Sequence, residues 1–204
     1  LLNSIMQMKS GKLRIASDIP HRIFPLTAKF REQYTDVEIS VSILPPTEMT
    51  DQMTDRLVDI AVSGIPLSHT SLECHEIGSE RLSATLPLKH PLNHHATVTF
   101  DDLKSEKILI YRDEYGISSL DQKVISAGAF VPEQIIYFDN REMVQEVVAH
   151  QQGIAFLSKY EIAHDRRLTS ALIEDCSLSR KEYLVFHAEK LSVPAVSAFR
   201  NLFL

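Results

Sequence analysis

Hydrophobic positions along this chain follow two spacings, one typical of strands and one typical of helices. In Lys12–Tyr34, Leu13 and Ile15 alternate with polar neighbours as in a short strand, and a helical face follows after Pro20. That face consists of Ile23, Thr27, Phe30 and Tyr34, with Leu26 beside it. The stretch therefore predicts a strand, a short loop and a helix.

The same order continues through the next thirty residues. Val37–Leu44 alternates hydrophobic and polar residues, which predicts a strand that Pro45-Pro46 ends. Thr47 is the predicted N-cap of a helix over Glu48–Leu57, and Asp59–Ser63 predicts a short buried strand. A β-α-β-α-β order predicts a parallel sheet with helices packed on it.

The second half of the chain begins with a long extended stretch and then repeats the strand–helix order. Leu72–Leu88 is predicted to cross to a second lobe, and Phe100–Leu103 predicts one helical turn. The elements predicted next are Lys107–Tyr111, helix Ile117–Gly128, Gln134–Phe138, helix Arg141–His150 capped by Asn140, and the buried strand Gly153–Leu157. Glu161–Leu178 gives no clear prediction. Glu182–His187 is predicted to return the chain to the first lobe before a last helix from Pro194.

These elements predict an α/β fold with two Rossmann-like lobes joined by two extended crossovers. We place the first lobe at 11–87 plus 188–204 and the second at 88–187. Leu1–Lys9 has the spacing of a helix that ends near Gly11, so 1–10 are predicted to end a helix from a preceding segment. The chain does not begin with Met, and we expect a fragment of a longer protein.

The composition leaves this fold prediction unchanged and bears only on the class of protein, such as nucleic-acid-binding or membrane-spanning. The 204 residues are 44% hydrophobic and 24% charged, as in an ordinary globular protein. The net charge is −6 and Lys and Arg are scattered, so we expect this domain not to bind nucleic acid directly. No hydrophobic run approaches the roughly 20 residues of a membrane span. Cys74 and Cys176 are far apart and predict free thiols in a reducing cytoplasm, in preference to a disulfide.

Strand ends supply the candidate binding residues, because ligands of open α/β sheets bind at the carboxyl ends of the strands. From these ends we predict an effector-binding set of Ser17, Asp18, Arg22, Pro46, Thr47, Ser63, Arg112, Asn140 and Arg141. Tyr111, Asp139, Leu157 and Ser158 lie at the same ends.

Each candidate also has an ordinary structural use. Arg112 and Arg141 could hold a carboxylate or phosphonate in bidentate fashion, or simply be solvated at the surface. Thr47 and Asn140 could be helix caps. Asp18 is unfavourable for an anion and would suit the amino group of a zwitterionic or amine-bearing ligand. Together with the arginines, it predicts a small acid, an amino acid or another zwitterion as the effector.

No cofactor, metal site or catalytic motif is predicted. His94-His95 and Cys74-His75-Glu76 are better explained by structural or solvent roles than by metal binding. The chain has no Gly-x-Ser-x-Gly elbow, no His-Glu-x-x-His and no P-loop, so we expect no enzyme activity.

The order of several short motifs resembles the effector-binding (regulatory) domain of LysR-type transcriptional regulators over nearly the whole chain. The matching stretches are 11–15, Phe24-Pro25-Leu26, 58–62, Glu80-Arg81-Leu82, His90-Pro91-Leu92, Asp102-Leu103, Met143-Val144, 147–149 and Gly153-Ile154-Ala155. Three positions depart from the family's usual pattern: Arg56 and Gln151 stand where glycine is usual, and Ser158 stands where proline is usual.

The resemblance implies a type 2 periplasmic-binding-protein-like fold with the effector in the cleft between the lobes. It also implies a winged helix-turn-helix and a linker helix before this domain, with Leu1–Ser10 as the end of the linker. The regulatory domains would pair as antiparallel homodimers through helix His21–Tyr34 and strand Val37–Leu44, and the full-length protein would form a tetramer. Phe30 and Tyr34 could instead belong to the domain's own core.

We therefore predict the effector-sensing domain of a bacterial DNA-binding transcriptional regulator in the cytoplasm. A small molecule would shift the lobes between two arrangements, and DNA would be bound only through the missing N-terminal domain. The alternatives are a periplasmic solute-binding protein, which shares the two-lobe architecture, and an enzyme with this fold.

Overall fold

The structure is a computed structural model that describes residues 11–113, 116–117, 121, 123–124 and 131–204. Its strands are β1 Gly11–Ser17, β2 Val37–Ile43, β3 Ile60–Ser63, β4 Leu72–Arg81, β5 Ser83–Pro87, β6 Thr97–Val98, β7 Lys107–Asp113, β8 Gly116–Ile117, β9 Gln134–Phe138, β10 Leu168–Ile173 and β11 Ser179–His187. Its helices are α1 Pro20–Gln33, α2 Pro46–Thr54, α3 Phe100–Leu103, α4 Arg141–Ala149 and α5 Pro194–Phe203, with 3-10 turns at Pro91–His94 and Ala188–Ser192. The predicted linker end at Leu1–Ser10, and the predicted helix Ile117–Gly128 except for a few positions, lie outside the described residues.

The chain forms two compact units. The first unit takes residues up to Ser79 together with Lys181–Leu204, and the second takes Glu80–Arg180. The crossings thus fall inside β4 and β11, whereas the sequence placed the lobe boundaries at 87/88 and 187/188.

The first unit contains a five-stranded sheet in the order β2-β1-β3-β11-β4. β1 pairs in parallel with both β2 and β3, which confirms the predicted β-α-β-α-β arrangement, and β11 returns antiparallel to β3. Alternation along β1 places Leu13 and Ile15 in the core that contains α1 and α5, and Ala16 in the core that contains Met49 and Met53 of α2. Helices therefore cover both faces of this sheet.

Phe30 of α1 belongs to the core of this unit. Its ring is fully buried, stacks on Tyr34 with centroids 4.6 Å apart and lies 5.3 Å from the Phe199 ring of α5. Phe30 therefore has the use that the sequence left open as an alternative, in the domain's own core, while the pairing of α1 and β2 with a partner stays a prediction. β2 does lie at an edge of the sheet, as that prediction required.

The second unit contains two three-stranded sheets, in the orders β5-β10-β6 and β8-β7-β9. β10 lies in the stretch 161–178 that the sequence left without a prediction. The predicted strand Gly153–Leu157 is instead an irregular buried segment with two isolated bridges. Ile154 exchanges backbone hydrogen bonds with the 107–109 stretch of β7, and Ala155 does so with Thr85 of β5. This segment thus joins the two sheets of the unit.

Arg56 and Gln151, two of the departures from the family pattern, both adopt a backbone conformation in which glycine is usual. Each has a φ of 60°, the left-handed conformation that favours glycine, and each follows the C-cap of a helix. After α4, the Gln151 N–H donates to the Val148 carbonyl and the Gln152 N–H donates to the Val147 carbonyl, which is a Schellman motif. The helix ends are therefore kept by backbone hydrogen bonds although neither residue is glycine.

We expect Gln151→Gly to raise the free energy of unfolding by about 1 kcal/mol, because a left-handed non-glycine residue costs about 1–2 kcal/mol and glycine's greater unfolded-state entropy offsets part of the gain. Urea denaturation would measure the change. Gln152→Gly, one residue further on, is the matched control and should give no gain. Equal stabilisation by both substitutions would contradict this explanation.

Candidate functional site

The carboxyl ends of β1 and β3 form a tightly hydrogen-bonded turn. The buried Ser17 hydroxyl donates to the Val62 carbonyl at 2.6 Å and accepts from the Ile19 N–H at 3.0 Å. The Asp18 carboxylate accepts from the Gly64 N–H at 2.9 Å, and the Ser63 hydroxyl accepts from the Ile65 N–H. The structure thus brings Ser17, Asp18 and Ser63 together, and their side chains form hydrogen bonds within the turn.

Arg22 follows this loop in the first turn of α1 and forms an ion pair with Glu182 of β11. The guanidinium Nε lies 2.6 Å from Oε2 of Glu182, whose side chain is only 6% exposed. Glu182 was not predicted as part of the site. Glu182 alternates with the buried residues Leu184 and Phe186 along the strand, and this pattern could have indicated its role. A carboxylate at a buried strand position needs a cationic partner.

The start of α2 differs from the prediction. Pro45 occupies the N-cap position, Pro46 is the first helical residue, and no side chain caps the helix. Thr47 is therefore not an N-cap. The reason is that proline at the first helical position already has a helical φ and lacks the N–H that a cap would satisfy. The exposed Thr47 remains at the same end of the sheet, after β2.

In the second unit, Arg112 lies near the end of β7 beside Tyr137 of β9. Its guanidinium carbon is 4.9 Å from the centre of the Tyr137 ring, a cation–π distance. The two residues line an open pocket of about 270 Å³ with Phe138 and Asp139. Among the residues that the structure describes, Arg112 forms no ion pair with a carboxylate.

Asn140 and Arg141 have structural partners. The Asn140 side chain accepts from the Met143 N–H at 3.0 Å, which confirms its predicted role as the cap of α4. The Arg141 guanidinium lies over the Tyr111 ring and pairs with the Glu161 carboxylate, whose side chain is 3% exposed. The positive charge of Arg141 is thus already balanced.

Ser158 accounts for the third departure from the family pattern. Its N–H donates to Glu161 at 2.6 Å and its hydroxyl donates to Glu80 at 2.6 Å. Proline has no N–H and no hydroxyl, so it could make neither bond. Serine at this position therefore donates hydrogen bonds to the Glu161 and Glu80 carboxylates that proline could not donate.

Other sequence features give no further site. Within the described ranges, no group of three or more His, Cys, Asp or Glu side chains could hold a metal ion. Cys74 and Cys176 are both free thiols. No helix in the described parts of the chain is long and apolar enough to cross a membrane.

Comparison with known proteins decides the family. The family model of the LysR substrate binding domain matches residues 7–204. The chain belongs to this family. Similar curated proteins include the HTH-type transcriptional regulator CbbR of Rhizobium meliloti (strain 1021), at 24% identity over 100% of this chain and 67% of the relative. The activator CmpR of Synechocystis sp. (strain ATCC 27184 / PCC 6803 / Kazusa) is 22% identical over 100% of this chain and 69% of the relative.

Solved structures of the family share the fold. CbnR, a LysR family transcriptional regulator, aligns with a TM-score of 0.82 at 14% identity and covers 100% of this chain and 72% of that one. The BenM effector binding domain with its effector benzoate aligns with a TM-score of 0.80 at 18% identity, over 95% and 92% of the two chains. The domain is thus the effector-binding domain of a LysR-type regulator, with a type 2 periplasmic-binding-protein-like fold, rather than a periplasmic solute-binding protein. The curated relatives that the chain matches are transcriptional regulators.

Proposed function

We propose that this domain senses a small molecule with an acidic group, and that Arg112 is the residue that binds that group. The support comes from the charges of the three candidate arginines. Arg22 and Arg141 are each paired with a buried carboxylate, while Arg112 is exposed, lies beside the Tyr137 ring and has no ion pair among the residues that the structure describes. An anion at Arg112 would gain a charge-assisted, bidentate hydrogen bond without breaking an existing ion pair.

The remaining predicted residues would complete the effector contacts. Asp18 keeps one carboxylate oxygen on the Gly64 N–H, and a carboxylate so placed favours an amino group over a second acid. Ser17, Ser63, Pro46, Thr47 and Asn140 would shape the loops around the ligand rather than supply charge. For this reason we propose an amino acid or another zwitterion ahead of a simple acid.

The test is a thermal-shift screen with benzoate, shikimate and free amino acids, followed by titration calorimetry. Shikimate and benzoate are included because the solved domains of QuiR and BenM bind them. A ligand that binds the folded state alone raises the melting temperature by mass action. For an acidic hit, Arg112→Ala should weaken binding at least tenfold, and Arg166→Ala, at another exposed arginine of the same unit, should not. Equal affinities for wild type and Arg112→Ala would contradict the proposal.

For the full-length protein we propose a cytoplasmic regulator that binds DNA through an N-terminal winged helix-turn-helix and assembles as a dimer or tetramer. The edge position of β2 supports pairing through β2 and α1. Because Phe30 is buried, the contact would use exposed residues such as Phe24 and Ile43, which are 56% and 52% exposed.

A further inference from the structure

The strands that carry the chain between the two units contain an unusual buried carboxylate. The chain leaves the first unit between Ser79 and Glu80 of β4 and returns between Arg180 and Lys181 of β11. Glu182 is the second residue after the return, and its residue surface is 4% exposed. Its partner Arg22 lies in the first turn of α1, just after the loop that begins with Ser17 and Asp18.

β4 is packed against the same ion pair. A Cβ atom added to Gly78 would lie 2.6 Å from Oε2 of Glu182 and 3.8 Å from Nη2 of Arg22. The backbone of Gly78 therefore leaves only enough room for the carboxylate. One ion pair thus connects three separate elements of the first unit: the start of α1, β11 and β4.

The residues on the far side of each crossing are held within the second unit. Glu80 accepts hydrogen bonds from the Ser158 hydroxyl at 2.6 Å and from the Lys159 N–H at 2.9 Å. Arg180 donates to the Phe156 carbonyl at 2.7 Å. Glu80 and Arg180 thus have their partners in the second unit, whereas Glu182, two residues after Arg180, has its partner in the first.

We propose that Glu182 is a positioning residue that couples the segment Ser17–Arg22, which holds the loop and the first turn of α1, to both crossing strands. Movement of Arg22 away from Glu182 would leave a buried carboxylate without its arginine, which is unfavourable unless β4 and β11 rearrange as well. A ligand that moves the loop would thereby bias the strands on which any reorientation of the units depends. The regulatory meaning rests on the proposed effector role of the loop, but the coupling can be tested without a ligand.

The experiment is hydrogen–deuterium exchange on the ligand-free domain. Glu182→Gln keeps the side-chain size and removes the charge. We expect backbone amides of residues 18–22 and of 76–79 to exchange at least tenfold faster, while amides of α2 and α4 change less than twofold. Gly78→Ala displaces the carboxylate without changing any charge, should accelerate the same two segments, and serves as the test if Glu182→Gln does not fold.

Glu189→Gln is the matched control, because Glu189 pairs with Arg56 at the surface and its side chain is 68% exposed. It should leave both segments unchanged. The double variant Arg22→Gln/Glu182→Gln should accelerate them no further than Glu182→Gln alone, since both substitutions break the same pair. Faster exchange restricted to β11, or spread evenly over the whole first unit, would overturn the coupling. Failure of the Arg112→Ala titration would not affect this result, so the two proposals fail separately.

Discussion

Gly153→Ala is expected to lower the free energy of unfolding by about 3 kcal/mol, the upper range for forcing an extra methyl group into a packed interior. A Cβ atom at position 153 would lie 2.6 Å from the Lys107 carbonyl oxygen and 3.0–3.1 Å from the Leu109 side chain. The carbonyl cannot move away freely, because it accepts a hydrogen bond from the Ile154 N–H at 2.9 Å. The irregular segment that joins the two sheets would therefore have to shift as a whole.

Urea denaturation followed by circular dichroism measures this effect. Gly11→Ala is the matched control, because a Cβ there has Ala195 Cβ as its nearest neighbour at 4.0 Å. We expect that control to change stability by less than about 0.5 kcal/mol, as surface substitutions do. A Gly153→Ala protein as stable as wild type would show that the 153–157 segment does not pack against β7 as described.

Asp59→Asn is expected to cost about 2 kcal/mol at pH 7. The carboxylate accepts hydrogen bonds from the backbone N–H and the guanidinium of Arg14 at 2.9–3.0 Å, and it pairs with the Lys190 ammonium. Burial acts to raise the pKa of Asp59, but the hydrogen bonds from Arg14 and Lys190 outweigh it and lower the pKa to about 2. A decrease of about two units from the ordinary value corresponds to roughly 2 kcal/mol.

The sign of this shift fixes the pH window. Because the folded-state pKa is lowered, the stabilisation is fully present above the ordinary pKa of about 4 and is lost as the pH falls from about 4 to about 2. The stability difference between wild type and Asp59→Asn should therefore shrink over that range. Glu38→Gln, which removes an exposed ion pair with Lys12 in the same sheet, should change stability by less than about 1 kcal/mol and serves as the control. A constant difference from pH 7 to pH 2 would contradict the assignment.

Local patterns along the chain predicted most of the strands and helices. β2, β9 and α3 lie where alternation or helical spacing placed them, and α4 begins after its predicted cap Asn140. Predictions failed where two local signals competed. Pro46 displaced Thr47 from the cap of α2, and the run 153–157 reads as a strand although its partners change from β7 to β5 after one residue.

The sequence predicted where several candidate site residues lie but not which of their charges are paired. The sequence placed Ser17, Asp18 and Ser63 at strand ends, and the structure brings them together because parallel neighbours end at one edge of a sheet. It did not show that Arg22 and Arg141 were already paired, because their partners Glu182 and Glu161 lie on other elements. The buried position of Glu182 signals a need for a cation but not which cation.

By itself, then, the sequence determined the alternation of strands and helices, the α/β class and the family resemblance, all of which depend on residues near one another in the chain. Only the tertiary structure decided which charges neutralise one another, because that depends on strand order and on which side chains are removed from water. Sheet order brings Glu182 of β11 beside Arg22 of α1 and Arg112 beside the Tyr137 ring. The segment 17–22, predicted to contribute to effector binding, carries in the folded protein an arginine that is already paired with Glu182.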